Sequence, residues 1–165
     1  IRKIYLAKLL AENNKDAIIK DLEVADFDQA KAVLTQHGIS AKTVEIWGSG
    51  TPKREFLWSE DMADACVHIM HHVDFKDVIS NVNEIRNTHI NIGTGKDIAI
   101  VDLATLIKGV IGYEGDFLFN TDKPDGTLRK VTDVSKLEKL NWKHSVSLEN
   151  GIQKMYEWYQ FQLNE

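Results

Sequence analysis

The sequence has one cysteine, two prolines and no long apolar run. A single cysteine, Cys66, cannot form an internal disulfide, which fits a reducing, cytoplasmic setting. It lies in an apolar helical pattern, so we expect a small buried side chain there. No apolar stretch approaches the roughly 20 residues that cross a membrane, and no signal peptide opens the chain. We therefore expect no membrane partner.

Positive charge is also scarce, because 20 Lys and Arg residues face 25 Asp and Glu residues and leave a net charge of −5. Nucleic-acid binding needs a basic face, so we expect no nucleic-acid partner. A local group of cations could still hold a small anion such as a diphosphate. The chain starts with Ile1 and not Met, inside a helical pattern, which suggests a segment of a longer protein.

The length of 165 residues, with 43% hydrophobic and 27% charged residues, is typical of one ordered globular domain. Helical and strand patterns interleave, which predicts a mixed α/β (α+β) fold with a small sheet and flanking helices, as a single domain over residues 1–165. The segment Asn14–Lys42 is charged and loosely patterned, and we interpret it as an insertion.

Apolar periodicity locates the elements. It predicts helices at Ile1–Leu10, before Gly38, after an N-cap at Ser59, before Gly112, at Ser135–Leu140 and after a cap at Ser147. It predicts strands at Thr43–Trp47, at His89–Ile92 and around Phe117. It leaves Phe75–Asn87 as a surface loop or a frayed helix end.

Two segments combine turn-forming residues with cations, and the first reads WGSGTPKREF over residues 47–56. Its glycines let the backbone approach a ligand closely. Arg54 offers a planar fork of donors for phosphate oxygens, and Trp47 offers a flat apolar face for a base or a sugar ring. A plain hairpin with a surface arginine is the alternative, and spacing alone slightly favours that alternative.

The second segment reads KPDGTLRK over residues 123–130. The carboxylate of Asp125 on this turn can accept two hydrogen bonds from a guanine edge or a ribose. Arg129 and Lys130 can neutralise a phosphate. Charge runs on turns are usually solvated, so a simple surface turn is the alternative here as well.

Two further patterns favour a structural role. Gly93-Thr94-Gly95 follows a predicted strand, but a dinucleotide-binding fingerprint would need glycine where the chain has Ile98, so we interpret it as a structural turn. His68, His71 and His72 have helical metal-ligand spacing. No cysteine or carboxylate set completes such a site, and protonated histidine is favourable near a helix C-terminus, so we predict no metal site.

Together these segments resemble the C-terminal part of the GDP-L-fucose synthases, which are extended short-chain dehydrogenase/reductases. The likeness covers nearly the whole chain except Asn14–Lys42. The family's usual KPDGTPRK has Leu128 in place of its second proline, and its usual His-Val-Asp-Asp reads Trp58-Ser59-Glu60-Asp61 here. The motifs that carry the likeness are IRK at 1–3, WGSGTPKREF at 47–56, MADA at 62–65, NIGTG at 91–95, KPDGTLRK at 123–130, DVSKL at 133–137, SLENG at 147–151 and YEWY at 156–159.

The resemblance implies an oxidoreductase and isomerase of GDP-L-fucose biosynthesis. Such enzymes convert GDP-4-keto-6-deoxy-D-mannose into GDP-L-fucose by 3,5-epimerisation and NADPH-dependent 4-reduction. It further implies NADP(H) as the cofactor of the full-length enzyme, a GDP-sugar as its small-molecule partner, and a homodimer. Carried over by motif, the substrate-binding residues are Lys3, Trp47, Arg54, Asp125 and Lys130.

The catalytic residues of that family do not occur in this sequence. There is no Tyr-x-x-x-Lys, and the resemblance assigns the NADPH loop and the catalytic groups to an N-terminal Rossmann domain that we expect to be absent. General acid–base catalysis needs those groups next to the sugar. We therefore predict a substrate-binding part that is inactive alone, with no catalytic residue and no cofactor of its own. The alternatives are the substrate domain of another NAD(P)-dependent nucleotide-sugar epimerase or dehydratase, and a stand-alone sugar-nucleotide binding module.

Overall fold

The computed structural model describes residues 1–79 and 85–164. Sequence patterning predicted one domain, and in the structure the chain divides into two compact units. Unit 1 comprises Ile1–Pro52, Ala99–Leu128 and Ile152–Glu165, and unit 2 comprises Lys53–Ile98 and Arg129–Gly151. The elements, in chain order, are α1 (Arg2–Ala11), α2 (Lys15–Leu22), α3 (Phe27–Gln36), β1 (Thr43–Trp47), β2 (Lys53–Glu55), α4 (Ser59–His72), α5 (Phe75–Val78), β3 (Asp97–Ala99), α6 (Ile100–Ile111), β4 (Asp116–Asn120), β5 (Arg129–Lys130), α7 (Ser135–Lys139) and α8 (Leu148–Asn164).

Unit 1 contains a pair of parallel strands. β1 pairs with β4 in a register that runs from Thr43 opposite Asp116 to Trp47 opposite Asn120. Parallel neighbours need a crossover connection, and here the chain enters β4 directly after α6. That helix ends at Gly112, whose φ of +72° is the left-handed C-terminal geometry that glycine adopts without strain. The predicted glycine stop is confirmed.

The segment Asn14–Lys42 belongs to the hydrophobic core of unit 1. Ile18 and Leu34, one from each of its helices, are almost fully buried. Each helix also has a side-chain N-cap, because Asn14 and Asp26 accept hydrogen bonds from backbone N–H groups three residues further on. The loose sequence pattern therefore reflects two short helices that each bury a narrow stripe.

A buried carboxylate links α1, α2 and α8 in unit 1. Asp21 accepts a hydrogen bond from Arg2 Nε at 2.9 Å and a second from the hydroxyl of Tyr159. Burial first, and the bond to Asp21 second, raise the pKa of Tyr159 above its ordinary value. The network places one satisfied charge inside an otherwise apolar core.

Unit 2 contains the second sheet, with strand order β3–β2–β5. β2 and β5 run parallel, with Lys53 opposite Arg129 and Arg54 opposite Lys130. Its small core consists of Ala65, Leu137 and Trp142, with four partly buried apolar side chains packed against it. The two parallel pairings and the flanking helices confirm the predicted mixed α/β fold with small sheets.

Asp61, in the first turn of α4, is buried and fixes the segment before α8. It accepts hydrogen bonds from the backbone N–H of Ser145 at 3.1 Å, from the hydroxyl of Ser145 at 2.7 Å and from the N–H of Val146 at 3.0 Å. Burial alone would raise the pKa of Asp61, but these bonds outweigh it and the pKa falls below its ordinary value.

Three local predictions are wrong. His89–Ile92 is not a strand, and the strand of this region follows the turn, as β3. The N-cap of α4 is Trp58 and not Ser59, and no side chain caps it. Cys66 is exposed because the buried face of α4 is carried by Asp61 and Ala65.

The region predicted as a loop or a frayed helix end, Phe75–Asn87, contains the short helix α5, and residues 80–84 lie outside the described part of the chain. Within the described part, none of the helices combines the length and the apolar character needed to cross a membrane.

Candidate functional site

In unit 1, the two predicted turns are joined through Asp125. One oxygen of its carboxylate accepts the backbone N–H of Ser49 at 2.8 Å, and the other accepts the Ser49 hydroxyl at 2.6 Å. The hydroxyl bond first, and the N–H bond second, lower the pKa of Asp125 below its ordinary value. The predicted contact of Asp125 with a substrate would therefore use lone pairs that Ser49 leaves open, because each oxygen already has one protein donor.

Gly48 makes this approach possible. Its φ is +81°, and a Cβ added there would overlap Oδ1 of Asp125. Two separate reasons therefore favour glycine at this position: its left-handed backbone, and the lack of room for a side chain next to Asp125. The group that approaches Gly48 is a protein carboxylate, and the expected close approach of a ligand to the glycines of WGSG stays a prediction.

Trp47 ends β1 and is largely exposed, at 68% of the full accessible area of the residue. The ammonium of Lys123 lies 5.4 Å from the ring centroid, within the range of a cation–π contact. Lys123 belongs to the KPDGTLRK segment but was not predicted as a site residue. Trp47 and Lys123 thus present an aromatic face and a cation side by side.

Lys3 lies near the start of α1, where its ammonium donates a hydrogen bond to the carbonyl of His37 at 3.0 Å. His37 is the C-cap of α3, so Lys3 satisfies a carbonyl at a helix C-terminus. Its predicted contact with a substrate remains a prediction.

In unit 2, the structure brings Arg54 and Lys130 together. They are register partners on β2 and β5, and partners in a parallel pair project to the same face of the sheet. The guanidinium of Arg54 also donates to the carbonyl of Lys53 at 2.6 Å. The two predicted cations, 76 positions apart in the chain, therefore meet because the strands pair.

Arg54 and Lys130 lie on the wall of an open surface pocket of about 620 Å³ within unit 2. A third cation in that wall, Arg129, is paired with Asp97, and the bond from Arg129 lowers the pKa of Asp97. The other residues that line the pocket are Glu55, Val131 and Thr132.

The Gly93-Thr94-Gly95 turn binds a carboxylate of the protein itself. Oε1 of Glu55 accepts the N–H groups of Thr94 and Gly95, both at 2.6 Å. Successive N–H groups of a turn form an anion-binding concavity, and here the anion is Glu55. The interpretation of this turn as structural is confirmed.

The histidines of α4 make structural contacts. His68 Nε2 lies 2.9 Å from the carbonyl oxygen of Leu140, and His72 Nδ1 lies 3.0 Å from that of His68. Their rings stack with centroids 4.7 Å apart. Across residues 1–79 and 85–164, no group of three or more histidine, cysteine or acidic side chains is arranged to hold a metal ion.

Two features of the site are not predicted from the sequence, namely the ammonium of Lys123 next to Trp47 and the carboxylate of Glu55. Both lie inside the quoted motifs, but neither was assigned a role. The sequence contains a hint of the role of Glu55. The turn Gly93-Thr94-Gly95 offers backbone N–H donors to an anion, and Glu55 is a carboxylate that could accept them.

Comparison with known proteins identifies the class. The sequence profile of the NAD dependent epimerase/dehydratase family matches residues 27–93. The GDP-L-fucose synthase of Escherichia coli (strain K12) is 45% identical over 120 residues, which are 73% of this chain and 37% of that protein.

Two solved structures are also similar. A GDP-6-OMe-4-keto-L-xylo-heptose reductase from C. jejuni superposes with a TM-score of 0.93 at 47% identity, covering 98% of this chain and 46% of that one. A GDP-mannoheptose C4 reductase from Campylobacter jejuni with NADP bound superposes with a TM-score of 0.84 at 46% identity, covering 96% and 44%.

The chain belongs to the NAD dependent epimerase/dehydratase family, among the extended short-chain dehydrogenase/reductases. Within that family it is homologous to part of the GDP-L-fucose synthases, and it spans less than half the length of the relatives described above. The superposition on the heptose reductase covers 98% of this chain, so it includes most of the segment Asn14–Lys42.

Proposed function

We propose that this chain supplies the GDP-sugar-binding part of an NADP-dependent epimerase and reductase, with GDP-L-fucose synthase as the first candidate. The observation that carries the proposal is the registered pair of Arg54 and Lys130 on the wall of an open surface pocket. Arginine offers a planar fork and lysine a point charge, and both types bind phosphate oxygens. Two such cations on one face suit the two phosphates of a nucleoside diphosphate.

The remaining predicted residues fit this proposal in different ways. The exposed indole of Trp47, with Lys123 beside it, offers a stacking face for a base or sugar ring. Asp125 holds the segment that carries Lys123 against the turn after β1. Lys3 is a proposed phosphate contact, supported only by the motif likeness.

The cofactor of the proposed enzyme is NADP(H), which is bound in a solved relative. The described residues do not fit a dinucleotide phosphate at Gly93-Thr94-Gly95, because two N–H groups of that turn already bind Glu55. We assign no NADP contact to this chain, and we propose that the cofactor, the catalytic groups and the homodimer contacts come from the rest of the enzyme.

Nucleotide selectivity tests the proposal. Calorimetric titration of the chain with GDP, UDP and dTDP should show the tightest binding for GDP. Arg54→Gln should weaken GDP binding about tenfold or more, the loss expected for charge-assisted hydrogen bonds. Lys53→Gln is the matched control, because it removes the same charge from the neighbouring position on the opposite face of β2. Equal affinity for the three nucleotides, or equal effects of the two variants, would contradict the proposal.

The proposed dependence on residues outside this chain has its own test. The chain, incubated with NADPH and a GDP-4-keto sugar, should leave NADPH absorbance unchanged, because it has no Tyr-x-x-x-Lys. Measurable NADPH oxidation that depends on the sugar would refute this part of the proposal.

A second candidate is a reductase of a GDP-linked keto-heptose. Its support is the 98% coverage and the TM-score of 0.93 against a heptose reductase, at an identity close to that of the fucose synthase match. Binding of GDP-fucose and GDP-heptose analogues to the same chain separates the candidates. Tighter binding of the heptose analogue would favour the second one.

A further inference from the structure

Glu55 stands next to Arg54 in β2 and connects three segments of unit 2. Oε1 binds the 93–95 turn through the N–H groups of Thr94 and Gly95. Oε2 accepts the N–H of Thr132 at 2.8 Å and its hydroxyl at 2.6 Å. Thr132 follows Lys130 by two residues, so one carboxylate ties the strand of Arg54 to the strand of Lys130.

The strands themselves give this arrangement little support. β2 is three residues long and β5 is two, so few backbone bonds fix their register. The five hydrogen bonds that Glu55 accepts, the fifth from the Thr94 hydroxyl at 3.3 Å, compensate for the short ladder. They are charge-assisted, which makes each of them stronger than a bond between neutral groups.

The protonation state of Glu55 agrees with this geometry. Burial alone would raise its pKa, but the bonds from Thr132, Gly95 and Thr94 outweigh burial, and the pKa lies below its ordinary value. The carboxylate is therefore ionised and fully able to accept these bonds at neutral pH.

We propose that Glu55 is a positioning residue that sets the separation of Arg54 and Lys130, and so lets unit 2 engage both phosphates of a diphosphate at once. This inference rests on the proposed function. Without Glu55 the two strands lose their side-chain tie, and a ligand with two phosphates gains little over a ligand with one.

The test compares GDP with GMP in Glu55→Gln and in a matched control, Asp61→Asn. Asp61 is a buried carboxylate of unit 2 that, like Glu55, accepts N–H and hydroxyl bonds, but it lies in α4 and bonds to Ser145 and Val146 instead of the segment after β5. Both variants should lower the urea midpoint. Only Glu55→Gln should reduce the preference for GDP over GMP, by about tenfold. A merely structural role would leave this ratio unchanged.

Thr132→Val provides a second variant in case Glu55→Gln does not fold. It removes one donor to Oε2 and keeps the shape of the side chain, so it should shift the ratio in the same direction by a smaller factor. An unchanged ratio in a folded variant, together with GDP binding that Arg54→Gln weakens, overturns the positioning role and leaves the proposed function standing. Absence of GDP binding in the unsubstituted chain overturns both.

Discussion

Replacing Gly48 with alanine should destabilise unit 1. The backbone of Gly48 has φ = +81°, and a non-glycine residue in the left-handed region costs about 1–2 kcal/mol. The new methyl group would also overlap Oδ1 of Asp125. The carboxylate must then move, and its bonds to Ser49 lengthen or break. We therefore expect the free energy of unfolding to fall by at least the cost of the left-handed backbone, about 1–2 kcal/mol.

Gly109 provides a control of opposite sign in the same unit. It lies inside α6, and a Cβ added there meets no atom within 4 Å. Alanine is favoured over glycine inside a helix by about 0.5–1 kcal/mol, so Gly109→Ala should stabilise the protein by that amount. The two variants add the same methyl group and differ only in backbone conformation and surrounding space.

Urea denaturation followed by circular dichroism measures both variants, and the midpoint should move down for Gly48→Ala and up for Gly109→Ala. Trp47 is adjacent to Gly48, so its fluorescence reports local changes at the turn in native buffer. A Gly48→Ala variant as stable as the unsubstituted protein, or a shift of the same sign in both variants, would refute the reasoning.

Three further predictions concern the carboxylates of Glu55 and Asp61, the hydroxyl of Tyr159 and the thiol of Cys66. The pKa values of Glu55 and Asp61 are lower in the folded than in the unfolded chain. The stability that these carboxylates contribute is therefore present at neutral pH and is lost as the pH falls below their ordinary pKa values of 4.5 and 3.8. Urea midpoints between pH 7 and pH 3 measure this loss. Tyr159→Phe should cost about 1 kcal/mol at pH 7, because Asp21 loses a donor. Since the pKa of Tyr159 is raised, its contribution is present below pH 10 and is lost above it, so the difference between variant and parent should shrink at higher pH. Cys66 is exposed and should react with a thiol reagent in native buffer as completely as in urea.

Helices and the longer strands could be predicted because their signals are local. The stripe of α6 and the glycine at its end, for example, are determined within one segment of chain. β5 was missed as a strand since it is two residues long and exists through its pairing with β2. The burial of Cys66 was predicted wrongly because an apolar pattern does not show which side of a helix another element covers.

The candidate site was predicted in its residue types but not in its contacts. Arg54 and Lys130 were both singled out, yet nothing in either segment alone says that they become register partners. Asp125 was predicted to accept bonds from a ligand, and its two oxygens accept bonds from Ser49. Pairings between residues more than 70 positions apart depend on the whole fold, which local patterns do not contain.

The glycine-rich turns at residues 48–50 and 93–95 each bind a carboxylate of the protein. Asp125 binds the N–H of Ser49 next to Gly48, and Glu55 binds the N–H groups of Thr94 and Gly95. An N–H group already bonded to a carboxylate would have to lose that bond before it could bind a phosphate, and two like charges at one turn repel each other. We therefore propose that side chains, above all Arg54, bind the anionic ligand, and the affinity should depend on the charge of Arg54 far more than on the backbone of either turn.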